Sequence, residues 1–239
     1  MTRLLVLFLF ASLCSLPLVS RAEEAARALP AAEDLLKLVR ISYTLNNSRL
    51  TGRLRDNESG KEEPFDLNMS QQSVRFRFVN PPQIVNLDLT TTPATLRDVK
   101  PGGSEEVPAS MYSERVRGFD LTYEDLSMSF LYWTKAEVLG EESLGTFSGQ
   151  KAWKVRVTTP DNKGPYGTVD IWVHQGSGGM AKMEGWDRKG NKIKHFEIRS
   201  IQKVGDNTVP KEIRVDTLAP GSSKKTGSTY MTFDKPIKN

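Results

Sequence analysis

The sequence predicts a mainly β chain: an antiparallel meander of about ten strands that curls into an unclosed barrel, its apolar concave face covered by an N-terminal helix and a short central helix. Three observations carry this. Apolar and polar residues alternate at period two in segment after segment, the pattern of strands with one buried and one solvated face. The segments are separated by turn-forming Asn, Asp, Gly and Pro instead of helical stretches. Only two stretches have a helical period, too few to cover so many one-sided strands, so the sheet has to bend round on itself.

The amino terminus stands apart from this pattern. Arg3 opens a positive region, Leu4 to Val19 is apolar but too short and too poorly flanked to span a membrane, and Ser20-Arg21-Ala22 fits a small-x-small cleavage site. Residues 1–22 therefore read as a signal peptide cleaved after Ala22, and residues 23–239 as a single mature domain. Cys14, the only cysteine, lies inside the apolar run behind Leu13, where lipid attachment would want a small residue. The chain has 33 Lys and Arg against 29 Asp and Glu, and removing Arg3 and Arg21 leaves 31 against 29. That near balance removes the main argument for nucleic acid as a partner.

Along the mature chain, Pro30 suits a first helical turn, and Leu35, Leu38, Val39 and Ser42 trace one face of a helix from about Ala31 to Tyr43, ending near Asn46-Asn47. Alternation then gives strands at Leu50-Gly52-Leu54, Phe65-Leu67-Met69, Val74-Phe76-Phe78 and Val85-Leu87-Leu89. Thr90 to Met111, rich in Pro and Gly, reads as a long loop around at most one short strand. The best-marked helix follows. Thr122 and Asp125 have the spacing of a capping box, Leu121 and Leu126 that of a hydrophobic staple, and Leu126, Phe130 and Trp133 form a large apolar face up to Trp133. Periodicity alone leaves open whether this helix is a fixed plug or a movable lid.

Strands resume with Val138 to Leu144, then Trp153-Val155-Val157, Val169-Ile171-Val173, Ala181-Met183, Phe196-Ile198, Val209 to Val215, and Tyr230 to Phe233. Their apolar faces enclose either a packed core or a cavity. Candidate cavity or lid residues are Phe65, Leu67, Phe76, Phe78, Leu126, Phe130, Trp133, Trp153, Val155, Ile171 and Val173.

No catalytic constellation emerges. His174 and His195 are the only histidines, on separate strands and without a partner at metal-ligand spacing. Ser222 and Lys225 make an S-x-x-K, but in a turn after Pro220-Gly221, not at a helix start. Gly176 to Gly179 leads into a strand and so lacks the helix N-terminus that binds phosphate. Glu124 and Asp125 sit where they favour a helix dipole.

Taken together, the N-terminal helix, the Leu50-x-Gly52-x-Leu54 strand, Arg75-Phe76-Arg77-Phe78 before Asn80-Pro81-Pro82, the Asp120 to Trp133 segment, and the Trp172-Val173 to Asp187-Arg188-Lys189-Gly190 hairpin resemble the LolA-like outer-membrane lipoprotein-sorting proteins, as a divergent branch. The resemblance implies an unclosed β-barrel with a helical lid over an apolar cavity. It also implies a periplasmic carrier, not an enzyme, that shields acyl chains of lipoproteins or phospholipid, touches an inner-membrane donor and an outer-membrane acceptor in turn, acts as a monomer and needs no cofactor. Carriers of this kind use an arginine near the second strand to hold the lid. The nearest matches, Arg53 and Arg55, fall opposite Leu50 and Leu54 on the predicted outer face. Two other readings stay open: a non-catalytic envelope interaction module with a packed barrel core, and a hydrolase of envelope polymers. The leader is directly testable. Intact-mass measurement of the exported protein is expected to give a chain starting at Glu23, and a chain acylated at Cys14 would contradict it.

Overall fold

The computed structural model describes residues 29–42, 48–145, 149–161, 163–204 and 207–234. The proposed signal peptide, Cys14, the new amino terminus at Glu23 and the Asn46-Asn47 turn lie outside the described residues.

One antiparallel sheet holds every described strand. In chain order these are β1 (Ser48–Asp56), β2 (Glu62–Met69), β3 (Ser73–Phe78), β4 (Gln83–Asp88), β5 (Thr95–Lys100), β6 (Gly103–Glu106), β7 (Lys135–Ser143), β8 (Lys151–Thr158), β9 (Thr168–His174), β10 (Met180–Trp186), β11 (Lys192–Val204), β12 (Asn207–Leu218) and β13 (Lys225–Phe233). The spatial order is β6-β5-β4-β3-β2-β1-β13-β12-β11-β10-β9-β8-β7. The chain thus starts in the middle of the sheet, runs out to the free edge at β6, crosses through residues 107–134 to the other free edge at β7, and returns to close β13 against β1. Because β6 and β7 do not pair, the barrel is unclosed, and the crossing segment joins its two open edges.

The alternation seen in the sequence becomes rows of facing side chains. Leu50, Leu67, Phe76 and Val85 are successive partners across β1 to β4. Val155, Ile171, Met183, Phe196 and Val215 are successive partners across β8 to β12. The opposite face pairs charges, Arg77 with Asp66 and Arg156 with Asp170 among them. Side chains of one face interact across strands, so each row fixes register as well as burial.

The sheet has thirteen strands where the sequence suggested about ten, and the stretch 90–111 read as a loop accounts for two of the extra strands. In β5 only Leu96 is fully buried, and β6, Gly-Ser-Glu-Glu, is exposed at all four positions. Such an edge strand is held by ladder hydrogen bonds and pairs such as Lys100 with Glu105 at 3.2 Å, and leaves no hydrophobic period to read.

The helices also differ in detail. The N-terminal helix α1 (Ala32–Ser42) buries Leu35, Leu36 and Val39, while Leu38, expected on that face, is 48% exposed. The central helix α2 covers only Tyr123–Ser127. Met128 is left-handed at φ 48°, and a 3-10 turn, Ser129–Tyr132, follows. Two serines break the helix: Ser127 Oγ donates to Glu124 O, and Ser129 N donates back to Ser127 Oγ, an alternative to helical bonding that serine offers readily. The break splits the expected Leu126–Phe130–Trp133 face. Leu126 joins a cluster built on β1 to β5, β12 and β13, whereas Phe130 and Trp133 join a second one under α1 with Val155, Ile171 and Val173.

The glycine of the Leu-x-Gly-x-Leu strand has a packing reason. A Cβ on Gly52 would lie 2.3 Å from Thr232 O and 2.8 Å from the Phe65 ring. That ring is the hub of edge-on contacts with Phe76, Phe78 and Phe233, at centroid distances of 5.5, 6.3 and 5.8 Å. Gly52→Ala is expected to destabilise the fold by about 1–3 kcal/mol, as overpacking does. Gly103→Ala, with open space around it, should stay within about 0.5 kcal/mol; urea unfolding of both variants checks the contrast.

Candidate functional site

Between the two clusters lies a cavity of about 620 Å³. Of the residues singled out from sequence, Leu67, Phe76, Leu126 and Phe130 line it. Phe65 and Phe78 pack in the first cluster, and Trp133, Val155, Ile171 and Val173 fill the second, with Trp153 half-buried against it. These seven residues form the packed walls, not the lining. Sequence reasoning overlooked the methionines: five of the seven in the chain, Met69, Met128, Met180, Met183 and Met231, line the cavity. Met69 and Met183 already stood at apolar positions of the alternation, and the available signal was residue type, since unbranched thioether side chains suit surfaces that must fit variable partners.

Among the described residues, Asp125 is the only charged one in the lining, and its carboxylate is fully committed. Oδ1 accepts from Tyr166 Oη at 2.6 Å, and Oδ2 accepts from the backbone N–H and hydroxyl of Thr122, both at 2.8 Å. Asp125 N in turn donates to Thr122 Oγ1, completing the capping box read from the sequence. Burial first, and the Asp125 carboxylate second, raise the Tyr166 phenol well above its ordinary range, so it stays a donor. Gly185 leaves room for that ring, since a Cβ there would lie 2.5 Å from it.

Among the described residues, three cations reach this segment from outside it: Lys61 donates to Arg117 O at 3.0 Å, Arg40 on α1 donates to Leu131 O, and Lys194 on β11, 4% exposed, is the buried one. Its ammonium donates to Asp120 O at 2.5 Å and lies 3.3 Å from Asp125 Oδ2. Arg53 and Arg55 do stay outside: Arg53 pairs with Glu62 and Asp234, and Arg55 stacks on Tyr230. Further anchors fix the segment. Asp120 N donates to Thr229 Oγ1 at 2.9 Å, and Arg115 lies 2.9 Å from the Asp120 carboxylate. Gly227 makes room for that carboxylate, since a Cβ would meet both oxygens at 2.5 Å. Arg117 reaches Glu63 at 3.0 Å and stacks on Phe78. Lysine 194 stood at a polar position next to His195 in the sequence; alternation placed it on a strand but could not say which loop would cover it.

Glu124 is the neighbour of Asp125 and has no such balance. It is 2% exposed, accepts a short bond from Ser129 Oγ, and packs so closely under Gly164 that a Cβ there would lie 2.7 Å from Oε2. Burial, reinforced by the charges of Asp125 and Asp161 against the opposing Ser129 hydrogen bond, moves its pKa from 4.5 to about 7.

The other motifs resolve into structure. His174 Nδ1 accepts from Ser177 N at 3.1 Å within the β9–β10 turn, and His195 lies 3.6 Å from Glu184 on the outer face. Ser222 Oγ accepts from Lys224 N in a turn, while Lys225 pairs with Asp216 at 3.0 Å. Among the described residues no group of three His, Cys, Asp or Glu could hold a metal, and no helix is long and apolar enough to cross a membrane.

The Glu124 environment makes stability depend on pH. A carboxyl whose folded pKa is raised holds its proton longer in the folded state, so its contribution is complete below about pH 4.5 and is lost as pH rises to about 7. Glu124→Gln, which keeps the shape and removes the charge, is expected to flatten the fall in stability across that window. At pH 8 it should be more stable than the parent by about 2–3 kcal/mol, from 1.36 kcal/mol per pKa unit with a discount for relaxation. Urea unfolding at pH 5 and pH 8 reads this out, and parallel pH profiles for the two proteins would contradict it.

The fold recurs in solved structures. A LolA superfamily protein from Nitrosomonas europaea aligns with a TM-score of 0.61 at 13% identity, over 87% of this chain and 93% of that one. A domain assigned to outer-membrane lipoprotein sorting, from Vibrio parahaemolyticus, gives 0.63 at 14% identity, over 86% and 92%. A DUF1329 family protein from Desulfovibrio piger gives 0.63 at 14% identity, over 85% and 90%. No curated protein matches the sequence. A family model described as "Uncharacterized protein" matches residues 103–239, from β6 through the crossing segment to the last strand. The chain belongs to that family and has the LolA-like fold.

Proposed function

We propose that the protein is a periplasmic carrier, exported by residues 1–22, whose mature domain binds acyl chains of lipoproteins or phospholipid and moves them from an inner-membrane donor towards an outer-membrane acceptor. The observation that carries this reading is the cavity of about 620 Å³, lined by methionine and aliphatic side chains and with its one charged lining group, Asp125, satisfied from within. Burial of an acyl chain is worth about 0.8 kcal/mol per methylene. Ten buried methylenes would thus supply about 8 kcal/mol, the free energy of a micromolar complex. A non-catalytic interaction module would need no interior space, so the cavity favours the carrier. The Vibrio parahaemolyticus domain, whose name refers to outer-membrane lipoprotein sorting, supports the same reading through the shared fold.

In this reading α2 and the turn after it are a lid. Leu121, Leu126, Met128 and Phe130 line the cavity from the crossing segment, so they would exchange contacts with protein for contacts with cargo. A helix of five residues is not stable alone and depends on what it lies against. In this reading the left-handed Arg117 and Met128, on either side of α2, are the hinge.

Native mass spectrometry of the mature protein is expected to find co-purified lipid, and a lipophilic dye should bind and be displaced by long-chain lipid. Phe130→Ala should weaken dye binding by more than its loss of global stability explains, and amides 122–133 should gain protection from exchange when lipid is added. Equal exchange with and without lipid, together with a stability loss of about 3–5 kcal/mol for Phe130→Ala, would mean a fixed plug.

A further inference from the structure

The two ends of the cavity are unlike, and the difference orients a ligand. All of its solvent-exposed lining residues, Gln150, Gly176, Ser177, Ile201 and Thr208, belong to one end: the start of β8, the β9–β10 turn and the β11–β12 hairpin. The anchors of the crossing segment lie away from that end: Lys194 near the start of β11, Tyr166 in the loop before β9, and Thr229 at the middle of β13. The inner end offers no free polar group to a ligand, because both oxygens of Asp125 are taken.

At the open end, hydrogen-bond donors remain free. His174 Nδ1 accepts from the backbone N–H of Ser177, so the ring proton sits on Nε2, which has no partner among the described residues. The side-chain amide of Gln150, also in the lining, has none either. Lys203 pairs with the lining residue Thr208 across the hairpin, on the exposed face opposite the buried pair Gln202 and Val209, and so stands at the rim of the mouth, outside the lining itself. It is exposed, and its ammonium has no ion-pair partner among the described residues. Glu141, at the neighbouring end of β7, is held by Lys151 and Gln175.

We propose that this rim is a headgroup site, in which His174, Gln150 and Lys203 hold the anionic head, a phosphate or carboxylate, of a ligand whose acyl chain runs inward towards Leu126 and Phe130. The inference rests on the carrier reading and adds to it the class and direction of the ligand. Donors without acceptors recognise anionic oxygens, and a hydrogen bond to a charged acceptor is stronger than one to a neutral one. A ligand inserted the other way round would leave its head against a saturated carboxylate in an apolar chamber.

The test compares hexadecyl phosphate, hexadecanoate and hexadecanol, which share a chain and differ in the head, by displacement of a cavity-bound dye from the mature protein. The parent protein is expected to bind the two anionic amphiphiles about tenfold more tightly than the alcohol, the equivalent of one charge-assisted contact. Lys203→Glu should bring that ratio to about one or below, and His174→Phe should lower it several-fold. Orthophosphate alone, at millimolar concentration, should not compete with hexadecyl phosphate, since the head gains its affinity from the tethered chain. A parent ratio near one, or a ratio that survives Lys203→Glu, overturns the headgroup site. Competition by orthophosphate would make the rim an anion site independent of acyl chains and overturns it as well. If none of the three amphiphiles binds, the carrier reading falls first and this inference with it.

Discussion

Most of this structure follows from one constraint: a sheet with a single apolar face must hide that face, and this sheet does not close. Thirteen strands curl far enough to bring their apolar rows together, but β6 and β7 remain unpaired edges. The connectivity then decides what covers the opening. Because the chain begins in the middle of the sheet and visits one edge before the other, the segment from 107 to 134 has to pass from edge to edge. A covering element is therefore a consequence of the strand order, and its sequence is free to be short, kinked and polar on one side.

That position explains why so many buried polar groups gather there. A crossing segment without regular partners leaves backbone groups to be satisfied one by one. Lys194 donates to the Asp120 carbonyl, Thr229 accepts from the Asp120 amide, and Asp125 caps the short helix while receiving Tyr166. Each of these draws on a different strand or loop, so the segment is registered against β11, β13 and the approach to β9 together. A buried charge is costly unless paired and hydrogen-bonded, and Asp120 and Asp125 each meet a cation. Glu124 does not, which is why it is the residue whose proton affinity changes most clearly towards neutral pH.

How far the sequence disclosed this depends on what kind of signal each part leaves. Rows such as Leu50, Leu67 and Phe76 are written as strict alternation, and the mainly β, unclosed architecture follows from them. The capping box of Thr122 and Asp125 is equally local and equally legible. Strand β6 left no trace, because an exposed edge of Gly and Glu is made by hydrogen bonds that any residue supplies. The break at Met128 was hidden because Leu126, Phe130 and Trp133 keep helical spacing through it, while the two serines that cause it look like ordinary solvent-facing residues. The division between cavity lining and packed wall was the least legible. Phe65 and Phe76 stand on adjacent strands with the same alternation, yet one is the hub of an aromatic cluster and the other reaches the cavity. Register and curvature separate them, and neither is a local property.

The same distinction bears on how binding and stability are partitioned. The aromatic and β-branched residues that dominate the candidates drawn from sequence form rigid walls, Phe65 and Phe78 on one side, Val155, Ile171 and Val173 on the other. The surface facing the empty space is instead rich in methionine, with Leu67, Leu126, Ile198 and Ile213 between. Stiff side chains keep the cavity from collapsing, and flexible ones let it accept a chain whose shape is not fixed. An interior made only of the first kind would close on itself, because apolar voids forfeit dispersion contacts that neighbours move to recover. An interior made only of the second would have no fixed shape to empty or fill. Phe130 belongs to both, being fully buried in the second cluster and present in the lining. It is the side chain through which a change in the occupant of the cavity is felt by the segment that joins the two edges of the sheet.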